Sequence, residues 1–556
     1  MNGLELYLTL ALIVFCMSQI DFPKISDKLD LKFAADQVIL NSNTDFIIDR
    51  LGIQILSEFK NEFIAHLETK ISYCEDSNRE YVQLDLVTID VPKKDFTLRP
   101  GAIPEIIDRI YYQALCNAIA PTIEGNLIPC EDKVLFSYRL SSESKKKYMF
   151  IDSKEAYNNF VSYQNQICQD YDFNCVLETD IADYFQRIYH HDLINLLLGF
   201  KCDKDIVNCI ASLIRKWRKG YSYGIPQSMW PSYLLGNVYL HELDKFMIDN
   251  DYMYMRYVDD IRVFCADKVT AKEALIDITK IVRPIGLSVQ PAKTHIFDKK
   301  SFCGRIEPFS EKINEFIERN RLTVRFDWYF DEFVEIEAPE EELYISGLDD
   351  IFNLAISQNP NDEVAIKFCL SGFAFNKQPN AVSFCIDNLA DLPHLSSYFI
   401  NYLTSLEPIR DVAQRILQFL ESEDNIYQWQ EMWLLRYFFL IMEPNNEIRD
   451  YLKQVFLDGN KHIACRSIAA QLLGRNNDFI DLRFLRKEFE GTNSLWLKRA
   501  IIVAIKDLIN SERNQIYSYW KSQNWCQDLA IQYVKRIEGV NNESTQIIKD
   551  VDHKLK

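Results

Sequence analysis

Hydrophobic positions fall into two regimes along the chain. In the first half, short apolar runs alternate with helical periodicity. Cys175-Val176-Leu177-Glu178-Thr179-Asp180-Ile181 reads as a strand and leads directly into a helical stretch, Tyr184 to Leu198. The runs Tyr252 to Tyr257 and Ile261 to Ala266 flank Asp259-Asp260 and predict a hairpin with the two acids at its tip. Residues 30 to 125 predict mixed helices with a short strand near Val82 to Val91. Beyond residue 340 the pattern is helical, with amphipathic stretches such as Ile448, Leu452, Val455 and Phe456. Turn signals separate them: Glu443-Pro444-Asn445-Asn446, Asp458-Gly459-Asn460, Gly474 to Asn477 and Glu490-Gly491-Thr492-Asn493. Short helices between regularly recurring turns predict a helical solenoid, with an irregular bundle as the alternative. Asn541 to Lys556 reads as a polar tail.

Composition supports order. The 556 residues allow two or more domains, 48% are hydrophobic and 13% aromatic, and Gly (16) and Pro (17) are sparse. The 14 cysteines show no zinc-type spacing, so buried free thiols in a reducing cytoplasm are expected. Leu6 to Met17 is apolar but lacks a preceding positive charge and is short for a bilayer. A buried helix or an over-extended start is expected there, with membrane attachment as the alternative.

The net charge of −19 is unusual for a protein that meets phosphate, but only the local field along a groove counts. Basic clusters occur at Lys145-Lys146-Lys147 and at Arg215, Lys216, Arg218 and Lys219. Each alone reads as a solvated face. Arg499, Lys506 and Arg513 recur at helical spacing and form either a stripe toward DNA or, more simply, another solvated face.

The acids carry the chemistry. Nucleotidyl transfer from a triphosphate uses two divalent cations, held by hard oxygen ligands converging from separate rigid elements. Asp180 at a strand end and Asp259-Asp260 in a hairpin turn offer that set. Most adjacent aspartates are solvated turn residues, but this pair is bounded on both sides by strand-like apolar residues.

These residues carry a family resemblance. Asp180-Ile181-Ala182-Asp183-Tyr184-Phe185 resembles the first palm motif of reverse transcriptases. Gly224-Ile225-Pro226-Gln227-Ser228, followed by Ser232-Tyr233-Leu234-Leu235-Gly236-Asn237, resembles the second. Tyr257-Val258-Asp259-Asp260 is similar to the catalytic box, and Gly286-Leu287 with Lys293-Thr294 to the motif after it. Arg99-Pro100 and Tyr138-Arg139 look like finger-domain elements.

The resemblance implies an α+β fold. A right-hand fingers–palm polymerase core with an antiparallel palm sheet is followed by an all-α, HEAT-like helical repeat domain. The expected divisions are 1–45 (N-terminal helical and apolar segment), 46–305 (fingers and palm), 306–340 (connector or reduced thumb), 341–540 (helical repeats) and 541–556 (tail). It implies Asp180, Asp259 and Asp260 as catalytic residues. Together with the Ile181 carbonyl they would bind two Mg2+ ions, for which Mn2+ can substitute. Phe185 would obstruct a 2′-hydroxyl, Gln227 would contact nucleotide or template, Arg99 would hold triphosphate oxygens and Lys293 would pair with pyrophosphate. Two departures stand out: Ser228 where the family has Gly, and Gly236 where it has Ala. Ser228 still suits a helix N-cap.

A reverse-transcriptase core joined to helical repeats resembles the abortive-infection, phage-defence enzymes of bacteria. That implies deoxynucleoside triphosphates as substrates, a DNA product attached to the protein, synthesis without a copied template and homo-oligomers. Conventional copying of an RNA or DNA template and a catalytically silent binding assembly are the alternatives. A helical ribonuclease ending is not indicated, because His394, His462 and His553 lack the arginine such sites place just upstream.

Overall fold

The computed structural model describes residues 24–141, 148–303, 323–327, 332–337, 345–358, 361–441, 445–475, 478–521 and 524–540, with single positions between 313 and 319. The apolar run Leu6 to Met17, the Lys145 to Lys147 cluster, much of the 306–340 stretch and the tail lie outside the described residues.

The chain folds as a mixed helix and sheet core followed by a helical region. At the centre is a four-stranded antiparallel sheet built from β3 (Cys175–Thr179), β4 (Met253–Tyr257), β5 (Asp260–Cys265) and β6 (His295–Asp298), in the order β4-β5-β3-β6. Cys175, Val176 and Leu177 are all buried, so β3 is covered on both faces and shows no polar alternation. The helix Lys268–Val282 packs against β3 and β5. Its Asp267 caps it by accepting from the amides of Val269 and Thr270.

Upstream, β1 (Val87–Pro92) pairs with β2 (Leu98–Ile103) in a separate antiparallel hairpin. The strand expected near Val82 begins only at Val87, because the Leu84 amide is taken by the carboxylate of buried Asp108. The helix expected over Tyr184 to Leu198 is two helices, Tyr184–Arg187 and His190–Gly199. Long-range pairing interrupts it: Gly224 donates to the Ile188 carbonyl (2.8 Å) and His190 to that of Ser222 (2.9 Å). A further antiparallel hairpin, β7 (Thr323–Asp327) with β8 (Glu332–Glu337), falls in the stretch expected to be a connector.

The second half is a two-layer stack. Glu363–Phe375, Ser396–Ser405, Gln428–Tyr437, Ile463–Gly474, Leu495–Ala504 and Trp525–Val540 pack one on the next. The helices between them, such as Arg410–Leu420, form the other layer. Arg410–Leu420 buries only Val412, Ala413, Ile416, Leu417 and Leu420, a single apolar stripe. By contrast Gln428–Tyr437 buries an unbroken run from Trp429 to Leu435, as expected of a helix enclosed on all sides. At Gly474 a Cβ would lie 2.5 Å from the Ala504 backbone, so glycine permits the close approach of two stacked helices.

The enclosed layer faces the mixed helix and sheet core. Trp429 Nε1 donates to the Phe46 carbonyl (2.8 Å), and His462 Nε2 lies 3.0 Å from the Thr88 carbonyl of β1. Lys94, just after β1, pairs with Glu363 at 3.1 Å. Arg499 is 2% exposed and bridges Asp49 (2.6 Å) and Glu105 (2.8 Å). The proposed basic stripe is therefore not one. Arg499 is an internal tie, Lys506 pairs with Asp507, and Arg513 donates to the Lys506 carbonyl. Acids also offset the cluster near Arg215: Glu80 meets Arg215 and Lys216, and Asp85 meets Lys219.

The free-thiol expectation needs one correction. Cys168 and Cys303 form a disulfide, because the helix Ser153–Asp170 packs beside Lys299–Cys303 and brings the two Cα atoms to 6.0 Å. Their separation of 135 positions hides the pair from any spacing rule. The other described cysteines are free and, Cys130 apart, buried. No helix among the described residues is long and apolar enough to cross a membrane.

Candidate active site

Strand register sets the three acids at neighbouring strand ends. The β3–β5 ladder ends at Thr179 opposite Ile261, so the next residue, Asp180, is level with Asp260. The β4–β5 ladder closes at Tyr257 opposite Asp260, leaving Val258 and Asp259 as a two-residue turn. All three aspartates are partly buried.

Their electrostatics reflects the convergence. Burial, then repulsion from Asp180 and Asp260, pushes the Asp259 carboxyl well above the usual range. Burial also raises Asp260, to about 6, with Arg262 opposing and Asp180 adding to the shift. Asp180 is raised by burial against the pull of Lys293, Lys93 and Arg99. Burial would lower the Lys293 amine, but the neighbouring carboxylates outweigh it and hold it above its ordinary value. Its Nζ lies 2.7 Å from Asp180 Oδ2.

The other expected site residues divide. Arg99, on β2, is half-buried with its guanidinium 5.6 Å from the Phe46 ring centre, and its charge acts on Asp180. Lys93, at the turn after β1, reaches Asp183 at 3.6 Å and also acts on Asp180. Sequence reasoning passed over Lys93, although the run Pro92-Lys93-Lys94-Asp95 is a basic turn opposite the first motif. Ile181 pairs with Val289 through the amides of Ala182 and Gln290, and neither bond uses the Ile181 carbonyl. Gln227 is buried.

Phe185 is 2% exposed, set edge-on to Tyr233 at 5.7 Å. A Cβ on Gly236 would lie 3.0 Å from its ring, so this glycine makes room for Phe185. Ser228 does not cap the following helix. It sits at φ +66° with its hydroxyl on the Gln227 carbonyl, and the helix begins at Trp230. Asn41, far upstream, supplies the cap: its Oδ1 accepts from the Trp230 amide (3.2 Å) and its Nδ2 donates to the Ser228 carbonyl (3.2 Å). Arg109, paired with Asp45, fixes Asn41 in turn.

Among the described residues no three carboxylate, cysteine or histidine side chains are drawn together as a ready metal cage. The donor set nonetheless fits a divalent cation: hard oxygens whose mutual repulsion a positive charge would relieve.

Acids at the ends of antiparallel strands, faced by cations from a separate hairpin, are the arrangement that the palm-motif resemblance leads one to expect. Residues 91–305 match the family model described as reverse transcriptase (RNA-dependent DNA polymerase). Protein YkfC of Escherichia coli (strain K12) is 25% identical over 191 residues, covering 33% of this chain. The match spans about half of that relative, 46% of its length. Among solved structures, apo telomerase from Candida tropicalis truncated from its C-terminal domain aligns at 14% identity and a TM-score of 0.30, over 43% of this chain and 55% of that one. Candida albicans telomerase in complex with a TWJ fragment of telomeric RNA aligns at 13% and 0.31, over 63% and 64%.

Proposed function

We propose that the chain is a magnesium-dependent DNA polymerase of the reverse-transcriptase type that acts in antiviral defence. The observation that supports the reading is the placement of Asp180, Asp259 and Asp260 at adjacent strand ends, where their charges act on one another and on Lys293, with Lys93 and Arg99 also acting on Asp180. Asp180, Asp259, Asp260 and the Ile181 carbonyl would hold two Mg2+ ions, or Mn2+ in their place. Bound there, the cations lower the pKa of the attacking hydroxyl and neutralise the triphosphate. Arg99 and Lys93 approach from the fingers hairpin to bind triphosphate oxygens, and Lys293 pairs with the departing pyrophosphate. Phe185 sets the floor under the sugar, and Gln227 meets the nucleotide or template.

The helical second half supports the phage-defence branch, with DNA made from deoxynucleoside triphosphates without a template, joined covalently to a protein hydroxyl, by a homo-oligomer in the cytoplasm. Ser228, a side chain where the family has none, favours this over ordinary copying of an RNA or DNA template. Purified protein given each labelled deoxynucleotide with Mg2+ is expected to incorporate label without added template. Asp259→Asn is expected to abolish it while raising Tm, since it removes a like charge from the cluster. Mass analysis before and after nuclease treatment reads the covalent product. Product complementary to a supplied RNA would establish templated copying instead. Incorporation unaffected by Asp259→Asn would refute the site.

A further inference from the structure

The turn that carries the acids is strained. Val258 has φ +56°, a left-handed conformation that β-branched residues rarely adopt, and it is 2% exposed. Both of its backbone groups are gripped. Its amide donates to Ser137 Oγ (2.7 Å), and its carbonyl accepts from Arg256 Nη1 (2.8 Å).

The grips belong to one closed ring. Arg256 is held by Asp244 through Nε (2.6 Å) and Nη2 (2.7 Å), and its Nη1 also reaches Asn237 Oδ1 (3.3 Å). Asn237 Nδ2 donates to the Ser137 carbonyl (2.9 Å), which returns the path to Val258. Ser137, Asn237, Asp244 and Arg256 are each at most 1% exposed. Arg256 and Asp244, both at zero exposure, form a doubly hydrogen-bonded pair, and removing either partner would leave the other charge buried and uncompensated. The second sequence motif enters the ring at Asn237, and the approach to the fingers enters it at Ser137.

We infer that Ser137 and Arg256 are positioning residues that hold Val258 in its left-handed conformation and so aim Asp259 and Asp260 at Asp180. Releasing either grip lets the turn relax toward negative φ, which rotates the two carboxylates out of register with Asp180. The inference rests on the proposed reading of these acids as metal ligands. It adds that their aim is set from outside the motif.

The test is Mn2+ binding to the full chain, followed by electron paramagnetic resonance, with Asp259→Asn marking the site. Ser137→Ala is expected to weaken Mn2+ binding about tenfold, as the strain at Val258 is released. Ser137→Thr, which keeps the hydroxyl, is expected to restore it. Adding Val258→Gly to Ser137→Ala is expected to recover most of the loss, because glycine adopts the left-handed region without strain. Arg256→Lys, which keeps the charge opposite Asp244 but loses the fork, provides a second variant with the same expected weakening. Ser137→Ala and Arg256→Lys binding Mn2+ as the wild type does, or a double variant no better than Ser137→Ala alone, would overturn the inference. So would a wild type whose Mn2+ signal is indifferent to Asp259→Asn. Normal Mn2+ binding without nucleotide incorporation would refute the polymerase reading and leave this one standing.

Discussion

At the scale of single residues, the site is defined by carboxylates that burial and repulsion keep reluctant to ionise. Asp260, raised to about 6, binds its proton more tightly in the folded chain than in the unfolded one. Its stabilising contribution is therefore present below the ordinary carboxylate range and lost as pH rises through about 6. Relative to Asp260→Asn, the metal-free wild type is expected to lose on the order of 1 kcal/mol between pH 4 and 7. Urea midpoints at each pH measure it. Mn2+ affinity runs the opposite way, falling as pH drops below about 6. Phe185 offers a second residue-scale outcome. Truncating a ring that is 2% exposed costs stability whatever its role, so Phe185→Val is expected to destabilise by about 2 kcal/mol. If the ring also floors the sugar pocket, the same variant admits ribonucleotides. A lowered Tm with unchanged sugar discrimination would confine Phe185 to the core.

Among elements, the decisive contacts join the helical region to the first half. Arg499 in the helix Leu495–Ala504 neutralises Asp49 and Glu105 from within. Arg499→Ala is expected to cost about 3–5 kcal/mol, because it strands two buried carboxylates. Thermal unfolding measures that loss. From sequence alone this arginine looked like part of a solvent or DNA-facing stripe. Helical spacing records which residues share a face but not what that face meets. The β4–β5 hairpin was legible because Tyr252 to Ala266 is local, with apolar runs on both sides of the acids. So was the alternation of short helices and turns after residue 340. What stayed hidden was non-local: the break at Ile188, made by Gly224; the cap on Trp230, supplied by Asn41; and the disulfide between Cys168 and Cys303. Lys293, expected near the acids from the motif resemblance, lies 2.7 Å from Asp180, whereas Lys93 emerged only once the β1–β2 hairpin was folded over Asp183.

Over the whole molecule, the enclosed helical layer serves as a second wall for the β1–β2 hairpin and the segments beside it. Phe46, Asp49, Thr88 and Glu105 all find partners beyond residue 425. A fragment ending before Ile345 is accordingly expected to be recovered as aggregate by size-exclusion chromatography, while the full chain elutes as a defined species. An active, well-folded fragment would show that the wall is dispensable. The same tie sets a timetable for synthesis. Arg499 follows Asp49 by 450 positions. At a ribosomal pace of about 5–20 residues per second, the aspartate emerges some 20–90 s before the guanidinium that neutralises it. Through that interval the nascent hairpin is exposed, and water or a chaperone must stand where the helical layer will later close.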